Sequence, residues 1–204
     1  FIENIVHDVP GSPTFLIKTF DGLLSVDGEN GSVIWQVPSF DGPGIVGAEK
    51  LPNGDHVVLS TGSDFSNFEF STEYNVARIS ESGNVVWMQS HSGTEIDGLH
   101  VTEGQVVVDG SPTQVFDIDD GSKLWENDVD KRGRRYNLTV ADGAVYIAGD
   151  LEPQAVQAGI SGWVWKHDLE TGEVLWQSEQ TNTKMTGLTY EDGLILARGE
   201  GDWF

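Results

Sequence analysis

The sequence contains no cysteine, which removes disulfides, thiolate metal sites and cysteine nucleophiles from consideration. Cations are scarce: 11 Lys plus Arg face 33 Asp plus Glu, giving a net charge of −22. That balance argues against nucleic acid as a partner, because phosphate binding needs cations to displace counterions. No run of about 18 apolar residues occurs, so no segment reads as a transmembrane helix. No stretch keeps a helical period through three turns. The chain opens on Phe1 without a charged-then-apolar leader, and so reads as a processed product or a piece of a longer protein.

What is present is repetitive. Gly-x-x-x-Trp occurs four times, from Gly31 to Trp35, Gly83 to Trp87, Gly121 to Trp125 and Gly172 to Trp176. Two residues before each glycine stands an acid: Glu29, Glu81, Asp119 and Glu170. A second landmark follows each tryptophan, a glycine that launches an apolar run: Gly54, Gly104, Gly143 and Gly193, at separations of 19, 17, 18 and 17 residues. Glycine after Asn, Asp or Glu supplies the positive φ that tight hairpin turns need. The runs are short, rich in β-branched residues and bounded by turn residues, the pattern of strands. In the third unit the strands are read as Gly98–Val101, Gln105–Val108, Gln114–Ile118 and Lys123–Glu126. Four-stranded meanders repeated every 40–50 residues predict β-propeller blades.

The expected fold is therefore all-β, a propeller of four-stranded antiparallel blades. Residues 1–204 are read as one segment, with blade 1 about 1–38, blade 2 about 42–90, blade 3 about 95–128 and blade 4 about 136–179. A fifth blade starts at about 185–204, so the ring is incomplete. The tryptophans Trp35, Trp87, Trp125 and Trp176 are assigned to packing between blades, each buried against a neighbour.

These residues resemble the tryptophan-docking motif of quinoprotein-type (PQQ-type) propellers, Ala-x-Asp-x-x-Thr-Gly-x-x-x-Trp. Asp168, Thr171, Gly172 and Trp176 match it most fully; Asp27, Gly31 and Trp35 match, as do Asp117, Gly121 and Trp125. The second unit keeps Ala77, Gly83 and Trp87 but places Ile79 where Asp is expected. The resemblance covers nearly the whole chain and implies the fold more than an activity. The acid excess with only six Lys looks like proteins of halophilic archaea or their viruses, whose carboxylates keep a surface hydrated in concentrated salt.

Two insertions of 12 residues are expected between the second and third strands of blades 2 and 4, within Gly62–Asn75 and Gly149–Gly162. The first carries Phe65, Phe68, Phe70 and Tyr74, an aromatic set suited to a partner. Four of the eleven cations, Lys131, Arg132, Arg134 and Arg135, fall in a connection on the same face and invert the local sign of charge, as an acidic neighbour would require. These eight residues are the candidate partner-binding set, and the competing readings are local packing and a solvated loop.

Asp27 and Glu29, with Asn30, and Asp117 and Asp119, with Asp120, bring oxygen ligands together as weak calcium candidates, although neither group follows the twelve-residue calcium-loop spacing. The five histidines show no ligand spacing. Asn30-Gly31-Ser32 and Asn137-Leu138-Thr139 are glycosylation sequons.

Composition and motif together lead to a non-enzymatic scaffold or protein-interaction module in an extracytoplasmic assembly, secreted, on a cell surface or in a virion. No catalytic residue, cofactor or transmembrane segment is assigned. The alternatives are a fragment of a quinoprotein-like dehydrogenase, an arylsulfotransferase-like enzyme suggested by Leu51-Pro52-Asn53-Gly54, or a carbohydrate-binding adhesin. The open edge of blade 5 is expected to be covered.

Overall fold

The computed structural model describes residues 4–7, 14–19, 22–38, 44–62, 72–127, 135–149, 162–179, 181 and 184–200. Among these residues there are strands and turns only, and no helix long and apolar enough to cross a membrane. Strands β1 (Asn4–His7), β2 (Thr14–Thr19), β3 (Gly22–Asp27) and β4 (Val33–Pro38) form an antiparallel sheet in chain order. Strands β5 (Gly44–Lys50), β6 (His56–Gly62), β7 (Thr72–Ile79), β8 (Val85–Val101), β9 (Gln105–Ser111), β10 (Thr113–Asp117) and β11 (Lys123–Asn127) also follow chain order, in one seven-stranded sheet. A third sheet holds β12 (Arg135–Ala141), β13 (Ala144–Gly149), β14 (Trp163–Asp168) and β15 (Val174–Gln177). The fourth pairs β16 (Lys184–Glu191) with β17 (Leu194–Glu200). The fold is an all-β propeller of antiparallel meanders.

Alternation of side chains puts one apolar face of each meander inside. Strand β13 is buried along its whole length. Two compact units partition the chain: Phe1–Gly110 with Phe116–Lys123, and Ser111–Val115 with Leu124–Phe204. The first holds two cores, one around Leu59, Val76, Val106 and Phe116, the other around Leu16, Leu23, Val58 and Ile79. The second unit packs Met185 and Leu188 of β16 against Tyr146, Ala148 and Val164.

Two expectations need correction. No connection separates blades 2 and 3: β8 runs unbroken for 17 residues, pairing with β7 as far as Gly93 and then serving as the neighbour of β9. The expected Gly62–Asn75 insertion is also shorter, because Gly62 pairs with Glu73 and Thr61 with Tyr74 in a regular ladder. Ladder hydrogen bonds satisfy backbone groups that a loop would have to leave to solvent.

The hairpin glycines behave unequally. Asp142-Gly143 and Asp192-Gly193 both take positive φ, giving two-residue turns that match strand twist. Gly104 does not; its turn is closed instead by the Thr102 hydroxyl, which accepts the Gln105 N–H at 3.1 Å.

Candidate functional site

The repeated site is the hairpin turn that ends in the motif glycine. In the first, third and fourth turns the motif aspartate closes the loop on itself. The Gly31, Gly121 and Gly172 amides donate to the carbonyls of Asp27, Asp117 and Asp168 at 2.7, 3.0 and 2.9 Å. The same aspartates accept, through Oδ1, the N–H two residues before the glycine: Glu29 at 2.8 Å, Asp119 at 2.7 Å and Glu170 at 3.0 Å. Such Asx turns are why Asp suits this position. At Asp168 the Thr171 N–H and hydroxyl, with the Glu170 N–H, outweigh burial and hold the carboxyl below the usual range.

The calcium candidates Asp27, Glu29, Asp117 and Asp119 lie in these turns. Asp27 and Asp117 point oxygens at backbone N–H groups of their own turns, and among the described residues no group of three acidic or histidine side chains is arranged to hold a metal. The Asn30 amide is likewise engaged with Asp27 Oδ2 at 2.9 Å.

Gly83, Gly121 and Gly172 each receive the tryptophan of the preceding meander, whereas nothing lies within 4 Å of a Cβ built on Gly31. A Cβ on Gly83 would lie 2.6 Å from the Trp35 Cβ; on Gly121, 2.6 Å from the Trp87 ring; on Gly172, 2.8 Å from the Trp125 ring. All three glycines have φ between 72° and 84°, so left-handed backbone and close ring approach both require glycine. The indole N–H groups of Trp87 and Trp125 donate to Ile118 O at 3.0 Å and Leu169 O at 2.8 Å, the carbonyls three residues before the glycine. Trp35, Trp87 and Trp125 are correspondingly buried. Trp176 departs from expectation: it is 41% exposed. Its ring meets Tyr146 at 6.2 Å, and among the described residues no glycine turn lies over it.

The irregular second turn proves to be one residue shorter. Ser80 N donates to Asn84 O, the bond that Asp27, Asp117 and Asp168 make with Ser32, Ser122 and Glu173. Ser80 therefore occupies the aspartate position, and Ile79 is a core residue. With no aspartate in place, the Glu81 N–H goes to Asp55 Oδ1 at 3.2 Å.

Asp55 is in turn tied to Arg78, whose Nε donates to Asp55 Oδ2 at 2.8 Å. Arg78 Nη1 reaches Asp119 Oδ1 and Ile118 O, each at 3.0 Å, so Arg78 and Trp87 share one acceptor. Burial pushes the Asp55 carboxyl up, but bonds from Arg78, Asn53 and the Glu81 amide, with the charge of Arg78, hold it below its ordinary value. Arg78 is raised despite burial, by Asp55 and then Asp119. An open pocket of about 370 Å3 lies above this clamp, lined by Leu51, Asn53, Arg78, Thr102, Glu103 and Asp119. Sequence reasoning missed both clamp and pocket. The available signal was Arg78 itself, a cation beside the one irregular turn of an acidic chain.

The candidate partner set fares unevenly. Phe65, Phe68, Phe70, Lys131, Arg132 and Arg134 lie outside the described residues, and Arg135 opens β12. Tyr74 is not a partner-facing ring. It is 1% exposed, in the core with its centroid 5.8 Å from that of His91, which lies 4.7 Å from Phe116. His56 is also interior, edge-on to Trp35 at 5.7 Å.

Meanders that seat a tryptophan on the glycine turn of the next meander define a propeller of tryptophan-docking repeats. The chain belongs to the PQQ-like repeat family whose model is described as outer membrane protein assembly factor BamB, which matches residues 72–201. Solved structures agree at the level of fold. The β-propeller domain of Myceliophteria thermophila Cps50 (Swd1) is similar with a TM-score of 0.64 and 10% identity, over 98% of this chain and 62% of that one. KlAtg21, solved with the coiled-coil of AgAtg16, gives 0.59 and 10% over 98% and 63%. The computationally designed Ika4 protein gives 0.55 and 14% over 79% and 89%. This chain thus spans under two thirds of the length of the first two. No curated protein matches it.

Proposed function

We propose that this chain is a non-enzymatic propeller scaffold, a protein-interaction module of an extracytoplasmic assembly. The observation that carries this reading is the outermost strand of each four-stranded meander. Beside their tryptophans, Val33 and Ile34, Val85 and Val86, Leu124, and Val174 and Leu175 are all 42–56% exposed. Apolar side chains repeated on outer strands suit contact with other polypeptides, whereas the turn carboxylates are engaged in holding the turns. The family's description as an assembly factor supports the same class and an extracytoplasmic setting.

The finer reading keeps the aromatic insertion (Phe65, Phe68, Phe70) and the basic segment (Lys131, Arg132, Arg134, Arg135) as a partner-binding face. It reads the net charge of −22 as adaptation to concentrated salt on a cell surface or virion. Crosslinking of the intact native complex, with mapping of the linked residues, tests the proposal. Links from outer strands or from this face to another protein support it. Tight binding of a quinone or sugar by the isolated chain, without protein links, overturns it.

A further inference from the structure

The fold treats the two sequons oppositely. Asn137, Leu138 and Thr139 lie within β12, paired with Ala148, Ile147 and Tyr146 of β13, and Leu138 is 4% exposed. That segment is committed to a ladder, with its central residue in a core. Asn30, Gly31 and Ser32 lie in the β3–β4 turn and are all exposed. The exposure of Asn30 does not depend on what covers Gly31. In the third and fourth turns a tryptophan is docked on the glycine, yet the residues at the Asn30 position, Asp120 and Thr171, are exposed as well. The side chain of Asn30 is held in place: Oδ1 accepts the Ser32 N–H at 2.8 Å, and Nδ2 donates to Asp27 Oδ2 at 2.9 Å. The first of these bonds does not require asparagine. Asp120 Oδ1 accepts the Ser122 N–H at 2.8 Å, and Thr171 Oγ1 accepts the Glu173 N–H at 3.3 Å. What asparagine adds is an amide nitrogen.

We propose that Asn30 is an N-glycosylation site, its Nδ2 accepting an oligosaccharide from a lipid-linked phosphate donor. The nitrogen bonds to the anomeric carbon of the first sugar as the bond from that carbon to the donor's phosphate oxygen breaks. Nδ2 gives up one proton to a base, and the lipid phosphate leaves with the electron pair. No oxidant or reductant is needed. Two features of the turn suit the transfer. The Ser32 N–H on Oδ1 draws charge toward that oxygen and makes the Nδ2 hydrogens more acidic. The product amide keeps one N–H, enough to retain the bond to Asp27. The glycan stands at the third-to-fourth-strand turn of its meander. The β6–β7 connection, which joins a second strand to a third, lies at the opposite end of its own meander, so the sugar leaves that connection open to a partner. The inference rests on the extracytoplasmic reading, because such acceptors are surface segments of exported proteins.

The test is peptide mass spectrometry on the protein purified from its own source, with variants expressed in the same host. Trypsin cuts after Lys18 and Lys50 and after Arg135 and Lys166, so each sequon falls in a peptide whose only asparagine is the candidate acceptor. Peptide 19–50 is expected to carry sugar mass, located on Asn30 by electron-transfer fragmentation, and peptide 136–166 to be unmodified. Ser32→Ala keeps the backbone N–H that holds the turn but removes the sequon hydroxyl, and should abolish the added mass completely. Ser32→Thr should retain it. An unmodified peptide 19–50 in protein recovered from outside the cytoplasm overturns the inference and leaves the extracytoplasmic reading standing. The same result in protein confined to the cytoplasm overturns both. A glycan on peptide 136–166 in place of 19–50, or one on 19–50 that survives Ser32→Ala, overturns the assignment to Asn30.

Discussion

Gly121→Ala and Gly31→Ala make the same chemical change at nearly the same backbone angle, φ 74° and 75°, in turns closed by the same bonds. They differ in what a methyl group meets. At Gly31 nothing lies within 4 Å of the new Cβ; at Gly121 it falls 2.6 and 2.7 Å from Trp87 ring atoms. The shared cost is left-handed backbone for alanine, about 1–2 kcal/mol. It is offset by about 0.4–1 kcal/mol from the stiffer unfolded chain, leaving roughly 1 kcal/mol at Gly31. Gly121→Ala adds overpacking of about 1–3 kcal/mol. If Trp87 swings away to relieve it, the bond to Ile118 O is lost and a buried donor is stranded, about 1–3 kcal/mol more. The expected totals are therefore about 1 kcal/mol for Gly31→Ala and about 2–4 kcal/mol for Gly121→Ala with the ring in place, rising to about 3–7 kcal/mol with the indole bond lost. Urea unfolding at fixed high salt, followed by tryptophan fluorescence, measures both. Equal midpoints for the two variants would refute the docking argument, because only the ring contact distinguishes them.

Trp125→Ala should cost about 3–5 kcal/mol by opening a cavity, whereas Trp176→Ala, already exposed, should cost about 1 kcal/mol or less in the same assay. Asp55→Asn should lower the urea midpoint at pH 7. Because the folded-state pKa of Asp55 is depressed, its contribution is complete above the ordinary carboxylate range and is lost as pH falls through the folded value. Wild type and variant should therefore converge in acid, and a pH-independent gap would contradict the Arg78 clamp. Melting temperature should rise between dilute and molar salt, where screening shortens to about 3 Å and relieves carboxylate repulsion. No change between the two conditions would remove the salt-adaptation reading.

The turn geometry was largely legible in the sequence. A glycine at fixed distance from a tryptophan, with an acid four residues before it, encodes a turn closed by that acid, and Asp27, Asp117 and Asp168 close theirs in this way. These are local interactions, so spacing reveals them. The misses involve contacts made across strands. A one-residue deletion places Ser80 rather than Ile79 at the aspartate position, which spacing counted back from the glycine cannot show. Asp55 and Arg78 are 23 residues apart, and nothing local predicts their pairing. Tyr74 looks like part of an aromatic loop until the ladder with Thr61 places it in the core. Trp176 carries the fullest form of the motif, yet its burial depends on a turn belonging to other strands.

Hydrogen exchange at the tryptophan indole N–H groups, resolved by NMR, tests the central claim most directly. The Trp87 and Trp125 indoles, bonded to Ile118 O and Leu169 O beneath their glycine turns, should exchange slowly. The Trp176 indole should exchange orders of magnitude faster, near the rate of an exposed group. Uniform rates for the three indoles, whether fast or slow, would contradict docking on the next glycine turn as the device that buries them.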